Sequence, residues 1–294
     1  MKGRAPGHII TVDLEDWFHI LDVKGGFSRK SWSALNSKVE KNTLKILDLL
    51  DGLNVKATFF CLGFVAEKNP DLIREISSKG HEIASHGESH ELIYRQDLSE
   101  FRDELKRAKQ RLEDLTNKKV FGFRAPGFSI TDSSMNALRI LAEEGFLYDS
   151  SLFPAKRGHG GIKGDFPDRP FRFKFGEGGD LTEFPITPFK VLGISIPFSG
   201  GGYLRLFPAK ALLFLFGRMS EKGRQAVLYF HPREFDGMQP RMNLPLKRSF
   251  MYYFNVASAE EKIRFLLENH EFKKAEDFIF DREWLNELPE KEHL

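Results

Sequence analysis

Two kinds of pattern alternate along this chain. Short apolar runs read as buried strands: Ile9–Leu14, Val55–Leu62, His81–Ser85, Val120–Phe123, Phe146–Asp149, Glu183–Thr187, Val191–Pro197 and Gln225–Phe230. Between them lie stretches with helical spacing. Leu44, Leu47 and Leu50 mark a helix over Asn42–Leu50, and Asn69–Pro70 opens another that ends near Gly80. Asp97–Leu115 predicts a long charged helix, Thr131–Glu144 one stopped by Gly145, and Leu206–Met219 an apolar one. Ser258 and Glu261 have capping-box spacing for a helix running to His270. Pro154–Asp180 has no period and predicts a long loop, with a small hairpin around Phe171–Phe175. Strands alternating with helices predict an α/β fold built on parallel strands.

Composition narrows the function classes. Lys plus Arg number 44 and Asp plus Glu 42, with no long run of either sign. That excludes the concentrated basic surface a nucleic-acid partner demands. The single Cys61 excludes an internal disulfide. The opening MKGRAPGHII lacks the apolar stretch of a signal peptide, and Ala209–Gly217 is too short to span a bilayer. The expectation is a cytoplasmic protein with no transmembrane segment, acting on a soluble substrate or at the inner face of a membrane through peripheral contact. With no repeat or linker visible, residues 1–294 read as one domain. Oligomeric state is not legible.

The chemistry gathers at strand ends. Asp13, His86, Arg124, Asp149 and His231 all fall at or just past the C-terminal ends of predicted strands. In a parallel β/α barrel those ends share the face that carries the active site. His86 and His90 are four apart in HEIASHGESH, a spacing that aligns two imidazoles if a turn there enters a helix. On their own they read equally well as surface loop histidines. A carboxylate from Asp13, Glu15 or Asp16 would complete a two-His, one-carboxylate metal set with open positions.

In order, TVDLEDW, SHGESH, FRAPGF, YDSS and YFHP resemble the five motifs of the polysaccharide deacetylases, carbohydrate esterase family 4. GGGYLRL and HPREFD are similar to the bacterial subgroup associated with exopolysaccharide assembly. The resemblance implies a distorted (β/α) barrel, with a core of about 9–235 and a C-terminal extension, 236–294, packed on it. It also implies metal-dependent hydrolysis of the acetamide of an N-acetylated amino sugar. Zn²⁺ is the first expectation for the metal, with Co²⁺ or Ni²⁺ as alternatives. On the matching positions Asp13 is the general base, His231 the general acid, Arg124 the residue that holds the base, and Asp149 the partner of His231. His86 and His90 are metal ligands. Apart from the resemblance, backbone N–H groups near Pro126–Phe128 or the Gly200–Tyr203 turn are expected to help bind an oxyanion.

One departure leaves a choice open. The family's first motif has two adjacent aspartates, whereas here the acids are Asp13, Glu15 and Asp16. Glu15 shares a strand face with Asp13 if the strand continues, and Asp16 has the family's residue type if it bends. Glu15 is preferred and both are retained. Competing readings are a deformylase or amidohydrolase of a lipid-linked formamido sugar or other small amide, and a carbohydrate-binding protein on a decayed scaffold.

Overall fold

The computed structural model describes residues 7–21, 27–155, 159–162, 166–191 and 194–292. Its strands are β1 (His8–Leu14), β2 (Thr58–Cys61), β3 (Glu82–Ser85), β4 (Gly122–Phe123), β5 (Tyr148–Asp149), β6 (Phe171–Lys174), β7 (Asp180–Glu183), β8 (Pro188–Val191), β9 (Ile194–Pro197), β10 (Val227–Phe230), β11 (Phe272–Lys273) and β12 (Glu290–Glu292). The main sheet runs β10-β1-β2-β3-β4-β5-β7-β6-β12, and β11 adds to the start of β1. From β10 to β7 every pairing is parallel. Only the β6–β7 hairpin runs antiparallel within it. The mixed α/β class with a mainly parallel sheet is as the residue pattern implied.

The sheet curls into a distorted barrel, and irregular chain closes it. β7 and β10 do not pair with each other among the described residues. Instead Val227 N donates to Thr187 Oγ1, Tyr229 N donates to the Ser199 carbonyl, and Gly200 bridges Tyr229. A Cβ on Gly200 would stand 2.2 Å from the Tyr229 ring, so only glycine permits that approach.

Side-chain alternation along β1 separates two cores. Ile10, Val12 and Leu14 face the surrounding helices, while Ile9 joins an inner cluster with Phe60, Ala84, Tyr148, Phe184, Val227 and Tyr229. Low in that interior Tyr148 donates to Glu82 (2.6 Å) and Thr58 to its other oxygen (2.6 Å). Burial and then the neighbouring Glu276 push the Glu82 carboxyl up to about 7. The inner end is thus filled and satisfied, which leaves the opposite end for chemistry.

Several expected boundaries move. The strand expected at Glu183–Thr187 is Asp180–Glu183, because Pro185 and Pro188 remove the N–H groups a ladder needs. Val191–Pro197 is half of the β8–β9 hairpin, not one strand. Leu206–Met219 divides into helices Gly201–Leu206 and Ala209–Glu221, broken where Pro208 forbids a helical predecessor. Ser258 does not cap its helix; its hydroxyl donates to the Asn255 carbonyl (3.0 Å). Within the C-terminal stretch, β11 pairs with β1 and β12 with β6.

Candidate active site

Strand parity decides which side chains reach the open end of the barrel. On β1, Thr11 and Asp13 point inward with Ile9, and Arg124 follows β4 on the inner face. Arg124 has no exposed surface. Its Nη1 donates to Asp13 Oδ1 (2.6 Å) and Thr11 Oγ1 (2.8 Å), and its Nε and Nη2 donate to the Ser150 carbonyl (3.0 Å) and hydroxyl (2.8 Å). The guanidinium lies 4.1 Å over the Phe60 ring. Four directional bonds and a stacking face hold one oxygen of Asp13 and leave Oδ2 for other work.

Glu15 lies at the centre of the imidazoles. Its Oε1 is 3.1 Å from His86 Nε2 and 3.0 Å from His90 Nε2. Burial opposes a charge on Glu15, yet His90, His86 and His231 around it hold its carboxyl well below the usual carboxylate range. His86 Nδ1 is 2.7 Å from the Arg124 carbonyl, which can only accept, so Nδ1 carries a proton. In the neutral ring the lone pair of Nε2 then faces the Glu15 carboxylate. Burial disfavours protonating His86, but Glu15 and Asp13 outweigh it and raise its pKa. His90 Nε2 lies close to Glu15 without hydrogen-bond alignment.

Lone pairs converging at this separation fit a cation. Ligands about 2.0–2.2 Å from one ion stand roughly 3 Å apart. Among the described residues Glu15, His86 and His90 form one group able to hold a metal ion, and Asp13, Glu15 and His231 an adjoining one, each within 4.8 Å. His90 reaches its place differently from the expectation. No helix begins there; His90 sits at φ +56°, an uncommon conformation for a side-chain-bearing residue, and that turn aims the ring.

Asp16 does not join the group. Its carboxylate accepts from Ser37 Oγ (2.5 Å) and from the backbone N–H groups of Lys38 and Val39, so it caps the helix Val39–Gly52. The chain turns after Leu14, sending Glu15 into the site and Asp16 the other way. Asp149 is a second correction. It has the opposite parity to Tyr148 and Ser150, and it accepts from Ser151 N (2.9 Å) and Oγ (2.6 Å). Buried beside it is Glu183; burial raises the Asp149 carboxyl against the opposing hydrogen bond with Glu183, and burial followed by the Asp149 charge raises Glu183 well above the usual carboxylate range. Nothing connects Asp149 to His231 among the described contacts.

Glu234 takes the position expected of Asp149. Its Oε2 accepts from His231 N (3.1 Å) and stands 3.7 Å from His231 Nδ1. Its Oε1 lies 3.2 Å from Arg205 Nε. Arg205 in turn donates to the carbonyls of Tyr252, Phe254 and Met251. Burial opposes the charge on Glu234, but His231 and Arg205 bring its pKa down to about 2. The signal was in the chain: His231-Pro-Arg-Glu234 directly follows a strand with capping-box spacing. Thr11 and Ser150 were also readable, each two residues from an inward-facing position. His231 Nε2 itself faces Asp13 Oδ2 at 3.8 Å and Glu15 Oε1 at 3.9 Å, too far for direct bonds. The expected oxyanion donors are partly engaged, since Phe128 N bonds the Ala125 carbonyl and Tyr203 N that of Gly200.

A family model described as polysaccharide deacetylase matches residues 31–144. Over that segment the chain is similar to the polysaccharide deacetylases. A second model, a domain of unknown function (DUF3473), matches residues 150–279. The two models leave Asp13 and Glu15 outside their spans and place Arg205, His231 and Glu234 inside the second.

A peptidoglycan deacetylase-like protein of Gibberella zeae is 38% identical over 109 residues, covering 37% of this chain and 31% of that protein. A peptidoglycan-N-acetylglucosamine deacetylase of Bacillus cereus is 35% identical over 105 residues, covering 36% and 37%. The chain thus spans about a third of the length of these curated relatives. Among solved structures, a Mycobacterium smegmatis chain described as a polysaccharide deacetylase superposes with a TM-score of 0.65 at 23% identity. That superposition covers 99% of this chain and 94% of the other, a likeness of fold.

Proposed function

We propose that this chain is a metal-dependent N-deacetylase that hydrolyses the acetamide of an N-acetylated amino sugar, in a bacterial surface polysaccharide or its precursor. The observation that carries the reading is the convergence of Glu15, His86 and His90 beside Asp13 and His231. The named relatives act on peptidoglycan-type amino sugars by their descriptions, which supports the substrate class. An exopolysaccharide is the polymer we favour, on the GGGYLRL and HPREFD stretches that hold Arg205, His231 and Glu234.

Each residue then has a task. Glu15, His86 and His90 would hold the ion, with Zn²⁺ the best match to two imidazoles and a carboxylate. When bound, the ion supplies Lewis acidity toward the amide carbonyl and toward water. Asp13 Oδ2 accepts a proton from the attacking water, while Oδ1 stays fixed by Arg124. His231 delivers a proton to the departing nitrogen as the C–N bond breaks, giving acetate and a free amine. The Glu234 carboxylate, which accepts from the His231 backbone N–H and lies 3.7 Å from Nδ1, keeps the His231 imidazole turned toward Asp13. The 3.8 Å between acid and base atoms sets both against one small space, as a single scissile bond requires.

Acetate release from N-acetylglucosamine oligomers, assayed before and after chelation and with Zn²⁺, Co²⁺ or Ni²⁺ restored, tests the reading. Full activity of metal-free protein would overturn the metal dependence. Formate release in place of acetate would move the substrate to a formamido sugar. No helix among the described residues is long and apolar enough to cross a membrane.

A further inference from the structure

The helix Leu246–Tyr253 and the residue that follows it form an apolar edge left exposed among the described residues. Leu246 is 90% exposed, Phe250 51% and Phe254 39%, and they recur at i, i+4 and i+8 on one side. Met251 beside them is also exposed. The other side of the helix is tied to the active-site rim. Tyr252 is buried and donates to the carbonyl of Trp17, two residues beyond Glu15. Arg233, two residues beyond His231, stacks 4.0 Å over the Tyr252 ring.

Charge on this segment has one sign. Residues 237–259 contain no Asp or Glu and carry Arg241, Lys247 and Arg248, although the whole chain is close to neutral. Lys247 and Arg241 are exposed. A second copy meeting this edge about a two-fold axis would set like charges against each other. An anionic lipid surface offers what the edge lacks on both counts: an apolar layer for protruding Phe and Leu side chains, and negative headgroups for the flanking cations.

We propose that residues 246–254 dock the protein on an anionic membrane surface, holding the rim of the active site against the lipid boundary. The aromatic and aliphatic side chains enter the interface while Lys247 and Arg241 stay at headgroup level. Binding of this kind is peripheral and salt-sensitive, and it needs neither the metal nor a substrate, so it stands or falls separately from the deacetylase reading.

Vesicle flotation of the full chain tests it, comparing pure phosphatidylcholine with vesicles containing about one-third phosphatidylglycerol. The anionic vesicles should bind on the order of 10–100-fold more strongly, and raised salt should release the protein. The double variant Phe250→Ser, Phe254→Ser and the charge reversal Lys247→Glu should each abolish flotation while circular dichroism and thermal unfolding stay as in the wild type. Both sites are on the surface, so folding survives either change. Absence of wild-type flotation with anionic vesicles would overturn the proposal. So would flotation that both variants retain. A concentration-dependent dimer that Phe250→Ser dissolves would overturn it in favour of a protein interface.

Discussion

Replacing Glu234 by Gln keeps the shape of the side chain and removes its charge from the pair with Arg205 and His231. The carboxyl drops from an ordinary 4.5 to about 2 on folding. At 1.36 kcal/mol per pH unit this amounts to about 3 kcal/mol of native-state stabilisation at neutral pH. The folded pKa is depressed, so the stabilisation is complete above 4.5 and disappears as pH falls toward 2. Urea unfolding of wild type and Glu234→Gln should therefore differ by about 3 kcal/mol at pH 7. The gap should close progressively between about pH 4.5 and pH 2. If His231 is the proposed general acid, loss of the ionic partner that orients it should also lower kcat roughly 10–100-fold. A stability gap that stays constant across that pH window would refute the reasoning, since it would assign the effect to packing. Turnover equal to wild type at pH 7 would refute the role assigned to Glu234 beside His231.

Five further substitutions have expected outcomes. Asp13→Asn should lower kcat by about 10²–10⁴ while metal stoichiometry, read by atomic absorption, stays at the wild-type value. Glu15→Gln should weaken metal binding in competition with a chelating dye, whereas Asp16→Ala should leave it unchanged and cost about 0.5–2 kcal/mol in urea unfolding through its lost helix cap. Arg124→Met, which leaves Asp13 buried without its counter-charge, should destabilise by about 3–5 kcal/mol in the same assay. Glu183→Gln mimics the protonated carboxyl that burial favours. Wild-type stability should decline as pH rises from the ordinary carboxylate range through the raised pKa of the Asp149–Glu183 pair, and the variant should resist that decline in thermal unfolding followed against pH.

How the site was legible follows from which constraints are local. Strand parity and the position of polar residues at strand ends are local, so Asp13, Arg124, His86 and His231 could be read from the chain. Glu15 against Asp16 was not local. It depended on where the chain turns after Leu14, and the structure turns it so that Asp16 meets the N–H groups of Lys38 and Val39. Asp149 and Glu234 carry the same lesson. Both are acids near a strand end, and only packing revealed that Asp149 is buried against Glu183 while Glu234 lies between His231 and Arg205.

The sequence by itself determined the alternation of strands and helices, the parallel sheet, and the residue types that meet at its open end, because hydrophobic period and proline placement act over a few neighbouring residues. Tertiary structure alone decided which carboxylate faces the imidazoles, which acid supports His231, and how irregular chain at Thr187 and Ser199–Gly200 closes the barrel. Those choices are made by contacts between segments far apart in the chain. Their energies depend on burial and counter-charges that come into being only when the segments meet.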